Sequence, residues 1–238
     1  MIKPEDYFDF RDGIMPKLFV DCDYVWDVIP NIRTRVVELT QSMQTIKGNV
    51  MEGAYLSPKA IYIEEGAIVE PGAYIEGPAY IASGAVVRHG AYVRENVILF
   101  EDSIVGHATE IKNSVLLPGA HAPHFNYVGD SVLGHHCNLG AGTKLSNLTL
   151  ISEKDSTTGK RPTIKIHIDN EIYDTGLAKM GAILGDGAQT GCNAVLNPGT
   201  LIGKNTLVYA NMSVRKGAYP ADSVLKLRQT TSTMTRRR

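Results

Sequence analysis

Cysteine is scarce in this chain: three in 238 residues, Cys22, Cys137 and Cys192, an odd and sparse set that rules out a disulfide framework and suits a reducing compartment. An excess of either charge is missing too. Lys and Arg number 24 against 25 Asp and Glu, and a net charge of −1 gives no electrostatic reason to expect nucleic acid or a membrane surface as a partner. No apolar run approaches the roughly eighteen residues that a membrane-crossing helix needs. The opening MIKPEDYFDFRD has no apolar core of the kind a targeting segment carries, so a soluble cytoplasmic protein is expected. Tryptophan occurs once, at Trp26. Glycine, by contrast, is abundant at 23, as a chain that turns a corner every few residues requires.

What is present is a period of six. From Ile63 onward ten consecutive hexads begin with Ile, Val or Leu, at Ile63, Val69, Ile75, Ile81, Val87, Val93, Leu99, Val105, Ile111 and Leu117. The fifth place is small or β-branched at Ala67, Ala73, Ala79, Ala85, Ala91, Val97, Ser103, Thr109 and Val115, and His121 breaks the rule. A helix repeats its apolar face near ~3.6 residues and a half-buried strand near ~2, so neither explains a strict six. A hexapeptide β-helix does: each flat face of a triangular coil takes one hexad, the aliphatic residue points inward, and the small residue leaves room for the corner. The expected fold is therefore an all-β solenoid, a parallel β-helix spanning 51–224.

Residues 1–50 lack the period. Ile32, Val36, Leu39 and Met43 follow Pro30 at helical spacing, with Asp27 or Asn31 as candidate caps, and predict a short, mainly helical N-terminal cap packed over the first coil. After Leu117 the register slips: the next matching starts are Tyr127, Leu133, Leu139 and Leu145, which points to an irregular piece at 118–130. The hexads stop in an insertion, 147–181, where Ile164, Ile166 and Ile168 alternate and Asp169-Asn170 predicts a hairpin turn into EIY. They resume at Leu184 and run to Val214, and residues 225–238, ending in three arginines, read as a frayed tail.

Chemistry is expected where the pattern is interrupted. His124 and Tyr127 lie three apart in the slip, and Asn138 follows in the next coil. Arg94 and Lys112 are one coil apart and stack on one face; two stacked cations repel unless an anion sits between or across them, and a phosphate is the natural guess beside a solvated surface pair. The seven histidines contain no H-x-x-x-x-H pair, so no metal is expected.

The stretches H-F-N-Y-V-G-D (124–130), C-N-L-G-A-G-T (137–143) and K-M-G-A-I-L-G-D (179–186) resemble the acetyltransferase half of the bifunctional glucosamine-1-phosphate N-acetyltransferase/N-acetylglucosamine-1-phosphate uridyltransferases, the archaeal type above all. The similarity covers roughly 63–220. It implies a left-handed β-helix, a homotrimer with acetyl-CoA and acceptor held between subunits, and no metal for acetyl transfer. Carried over by position, it implies His124 as general base and Arg94, Lys112, Tyr127, Asn138 and Asn147 as acceptor-site residues. Lys179 and the backbone around Ala182 would face the CoA arm. The Tyr that follows the asparagine in bacterial members is Leu148 here, and a second lysine expected before Lys179 is Gly176. No nucleotidyltransferase half is expected in 1–50, so the chain would transfer acetyl groups and make no nucleotide sugar by itself. The leading expectation is acetylation of glucosamine 1-phosphate on the way to UDP-N-acetylglucosamine. The alternatives are another amino sugar or nucleotide-linked amino sugar, and a non-catalytic trimeric partner of a separate nucleotidyltransferase.

Overall fold

A computed structural model describes residues 2–10 and 17–228; residues 229–238 of the expected tail lie outside the described residues. Short parallel strands stack into three sheets of nine, nine and eight strands, the flat faces of a prism. Face 1 runs from Thr45–Ile46 to Gly217–Tyr219, face 2 from Asn49–Val50 to Val224–Leu225, and face 3 from Tyr55–Leu56 to Ser213–Val214. The protein is thus the parallel β-helix that the hexads predict. Its interior is the stack Ile63, Val69, Ile75, Ile81, Val87, Val93, Leu99, Val105 and Ile111, all fully buried, with Ala67, Ala73, Ala79, Ala85 and Ala91 at the corners.

The register slip lies only in part where the spacing puts it. Ala79 pairs with Val97 and Val97 with Ser114, a step of eighteen residues followed by one of seventeen. Leu99 accordingly pairs with Leu116, and Ile111 with Val128. The interior positions are therefore Leu116, Ala122 and Val128, while Leu117 packs outside the prism and Tyr127 turns outward. The two missing residues are lost one at a time, at successive levels of the corner between faces 3 and 1. Asn113 (φ 42°) and Asp130 (φ 48°) turn those corners in left-handed conformation, which Asn and Asp tolerate best after Gly. Residues 118–129 keep the period, and the second residue is lost at Asp130, the last of the expected irregular piece. Ala120 and Asn126, both buried, fill the fifth places, and His121 is no exception to the rule.

The N-terminal cap lies along the side of the prism and not over its first coil. Helix α1 (Pro4–Tyr7) is followed, past the undescribed residues, by a 3-10 turn (Val25–Asp27) and α2 (Val28–Thr40). Asp27 stands before α2, but its carboxylate accepts the Tyr24 N–H (2.8 Å) and makes no side-chain cap. Ile29, Ile32 and Val36 of α2 pack with Trp26 onto the outward residues of face 1, Tyr80, Ile98, Val115, Val132, Ile183 and Leu201. The insertion adds its hairpin, Lys165–Ile168 with Glu171–Asp174, to the same layer through Ile164, Ile166 and Ile168. Asp169 (φ 54°) makes the tight turn, and Ile168 pairs with Glu171 across it. Face 1 is buried on both sides for this reason; its strands read as unbroken apolar runs such as Val97–Leu99 and Ala182–Leu184. Asp186 ties down the N-terminal segment, its N–H donating to the Tyr7 carbonyl and its Oδ2 accepting from the Asp9 N–H at 2.7 Å. Among the described residues the cap and the hairpin leave faces 2 and 3 uncovered. No helix among the described residues is long and apolar enough to cross a membrane.

Candidate functional site

The sequence-predicted residues divide between two faces and the corner that joins them. Arg94 follows the face 3 strand Tyr92–Val93, Lys112 ends the strand Glu110–Lys112, and Tyr127 opens the strand Tyr127–Gly129 one level on. The pairing of Val93 with Ile111 places Arg94 over Lys112 as the spacing demanded. The charge between them is a carboxylate of the chain itself. Glu95 lies 3.5 Å from Arg94 Nε and 3.4 Å from Lys112 Nζ, and Glu110 accepts from Arg94 Nη1 at 2.9 Å. The Glu110 hydrogen bond pushes the guanidinium further toward its charged form.

Tyr127 is half-buried above this cluster. Its hydroxyl donates to Asn147 Oδ1 at 3.3 Å. Burial, and then the negative charges of Glu110 and Asp130, raise its pKa, so the phenol stays protonated and acts as a donor. Asn147 stands one level on at the same corner, where the insertion leaves the prism. Lys179 is exposed where the insertion returns, next to Met180, whose N–H donates to the Asn147 carbonyl at 3.0 Å. Arg94, Lys112, Tyr127 and Asn147 therefore lie along one corner, between faces 3 and 1, and Lys179 follows where the insertion returns to it.

His124 stands apart from them. It ends the face 2 strand His121–His124, paired with His107, and is exposed at the corner between faces 2 and 3. The corner is locked by Asn126, buried where a small residue belongs: its Oδ1 accepts the His124 N–H (3.1 Å) and its Nδ2 donates to the Gly140 carbonyl (2.9 Å). Among the described residues the His124 imidazole makes no hydrogen bond within the chain, and it is open to a substrate or a second copy. Asn138 lies on face 2, in line with His121 and Gln189. Ala182 is fully buried and its N–H donates to Ser131 Oγ at 3.0 Å, so it offers a ligand neither side chain nor amide.

Four residues of this corner were not among the sequence-predicted site residues: Glu95, Glu110, Asn113 and Asp130. Nothing in the hexad period marks out the two glutamates. A seventeen-residue step from Asn113 to Asp130 to Asn147 was the available signal, and it is visible only once the shortened corners are located.

Fold and site together define a class: a hexapeptide-repeat β-helix with a row of paired charges along one lateral corner. Comparison with known proteins narrows it. A family model described as the GMPPB C-terminal domain matches residues 75–165. The bifunctional sugar-1-phosphate nucleotidylyltransferase/acetyltransferase of Sulfurisphaera tokodaii is 33% identical over 198 residues, covering 83% of this chain and 46% of that protein. The bifunctional protein GlmU of Methanocaldococcus jannaschii is 36% identical over 166 residues, 70% of this chain and 38% of the relative. Among solved structures, the acetyltransferase domain of PglB from Neisseria gonorrhoeae in complex with acetyl coenzyme A aligns over 76% of this chain and 65% of that one, at 17% identity and a TM-score of 0.31, too low to carry an argument. The resemblance drawn from the motifs holds: over most of its length this chain is a relative of the GlmU-type nucleotidylyltransferase/acetyltransferases. It spans less than half the length of those relatives.

Proposed function

We propose that this chain is an acetyl-CoA-dependent N-acetyltransferase that acylates the amine of glucosamine 1-phosphate, giving N-acetylglucosamine 1-phosphate, and that it works in the cytoplasm as a homotrimer. The observation that carries the reading is the charge cluster along the corner between faces 3 and 1. Stacked cations at Arg94 and Lys112 lie within two levels of a protonated phenol and an amide, at one edge of a face whose other edge bears His124, in a chain related to named acetyltransferases.

In this reading the acceptor's phosphate exchanges with Glu95 between Arg94 and Lys112, and Tyr127 and Asn147 orient the sugar end. The neutral His124 imidazole takes a proton from the acceptor amine as its nitrogen attacks the thioester carbonyl. The tetrahedral intermediate then collapses, the C–S bond breaks, and the CoA sulfur leaves with the proton returned by the imidazolium. Lys179 faces the thioester end, and Asn138 contributes from face 2. No metal enters these steps.

A trimer is supported by what the chain leaves uncovered. Leu150 and Ile151, adjacent in the insertion just past Asn147, are 104% and 91% exposed and offer a neighbouring copy an apolar contact. Face 1 is already covered by the cap and the hairpin, so neighbours are directed to faces 2 and 3, the faces that carry the candidate residues. The test is release of free CoA from acetyl-CoA by the pure protein across a panel of amino sugars, with and without a 1-phosphate. Fastest turnover is expected with glucosamine 1-phosphate. Equal rates with the phosphate-free sugar would refute the phosphate reading, and no CoA release from any amine would refute the enzyme. A second reading, a non-catalytic trimeric partner of a separate sugar nucleotidyltransferase, has the GMPPB C-terminal domain match in its favour, and the same experiment separates the two.

A further inference from the structure

The shortened corner between faces 3 and 1 brings three polar side chains into a column. Asn113, Asp130 and Asn147 follow at intervals of seventeen residues, one above the next. Asp130 is the middle member and is 7% exposed. Its Oδ1 accepts from Asn113 Nδ2 at 2.8 Å and its Oδ2 from Asn147 Nδ2 at 2.5 Å. The backbone holds it in place from both sides, its N–H donating to the Lys112 carbonyl and its carbonyl accepting from Gly181.

A carboxylate has no proton to give, so each neighbouring amide must turn its NH₂ toward it. For Asn147 this leaves Oδ1 free to accept from the Tyr127 hydroxyl. Were Asn147 reversed, its carbonyl would meet the Asp130 carboxylate with no proton between them, and its NH₂ would present a donor to an acceptor amine that itself brings N–H donors. We propose that Asp130 is a positioning residue: it fixes the Asn147 amide so that the carbonyl, and not the NH₂, faces Tyr127 and the bound amine. This rests on the acetyl-transfer reading for its consequence but not for its geometry. Asp130 itself touches no substrate.

The geometry is tested without substrate, by side-chain amide exchange in the asparagine-labelled wild-type protein, with the Asn147 signals assigned through Asn147→Ala. Exchange of the Asn147 NH₂ at least tenfold slower than that of the exposed Asn211 is expected, and equal rates would overturn the proposal. Its consequence is tested by a double-mutant cycle. Asp130→Asn, which keeps the shape and removes the pure acceptor, should lower kcat about ten- to a hundredfold, in line with a charge-assisted hydrogen bond, with the KM for acetyl-CoA unchanged. In an Asn147→Ala background the same substitution should cost less than about threefold. Equal losses in both backgrounds would show that Asp130 acts on the corner and not through Asn147, and would overturn the proposal. If Asp130→Asn does not fold, the exchange measurement still decides it. If the wild type acetylates no amine, the functional reading fails while exchange continues to decide what Asp130 does.

Discussion

On the proposed function Glu95 competes with the acceptor's phosphate for Arg94 and Lys112, and replacing it is the sharpest perturbation available. Its two oxygens lie 3.4 Å from Lys112 Nζ and 3.5 Å from Arg94 Nε, and all three side chains are partly open to solvent. In bulk water each contact amounts to about 1 kcal/mol of Coulomb energy, and exposed pairs net only about 0.2–1 kcal/mol. An incoming phosphate must break both, an opposing cost of about 0.4–2 kcal/mol in total. What it gains is charge-assisted hydrogen bonding worth about 1.5–3 kcal/mol per bond. On that reading exchange favours the ligand, and Glu95 keeps the two cations from repelling until a phosphate replaces it. Glu95→Gln keeps the side chain's shape and removes the competitor. It should tighten the acceptor's KM and the inhibition constant of inorganic phosphate by about 2- to 30-fold, the factor that 0.4–2 kcal/mol supplies. The gain should shrink as salt rises, and the KM for acetyl-CoA should stay where it is. Arg94→Ala and Lys112→Ala should move the acceptor's KM the other way, about ten- to a hundredfold. The assay is initial-rate CoA release with each substrate varied in turn. If Glu95→Gln left phosphate inhibition unchanged or weakened it, the cluster would be a structural surface network and the phosphate would bind elsewhere.

Four other substitutions or measurements follow from the same geometry. His124→Ala should fold normally and lose about 10²–10⁴ in kcat, with His121→Ala losing far less; a near-wild-type kcat for His124→Ala between pH 6 and 9 would remove His124 as the base. Gly129→Ala places a Cβ 2.8 Å from Tyr127 Oη and 3.0 Å from Asn147 Nδ2, so kcat should fall while the melting temperature barely moves. Ile32→Ala, at a fully buried position between α2 and face 1, should cost about 2–5 kcal/mol in a denaturant titration and expose apolar surface to a dye such as ANS. Thiol labelling at pH 8 should find one fast cysteine, the exposed Cys192. Cys22 should react slowly because burial, then Asp27, pushes its thiol up to about 11, and the fully buried Cys137, pushed up further by burial, should react only on unfolding.

The prism was legible because its cause is local and repeated. Each hexad needs one inward aliphatic residue and one small corner residue, and sixty residues obeying that rule leave no other fold to consider. The cation stack at Arg94 and Lys112, the helix at Val28–Thr40 and the hairpin about Asp169 were legible for the same reason, being fixed by periods of eighteen, of about 3.6 and of two. Where the register shifts was not. Spacing from Leu117 to Tyr127 counts how many residues are lost but not at which corner, and a single aliphatic neighbour, Leu116 beside Leu117 or Val128 beside Tyr127, is enough to hide the step. The place of the cap was also beyond the sequence, since an amphipathic helix states that it has an apolar face and not which surface will meet it. Face 1 receives it because the outward residues of that face, from Tyr80 to Leu201, are apolar across levels far apart in the chain. The partners of the two cations, and the column of Asn113, Asp130 and Asn147, likewise depend on which side chains the stacking of coils brings within hydrogen-bond reach, a matter of a few ångströms that only the tertiary structure sets.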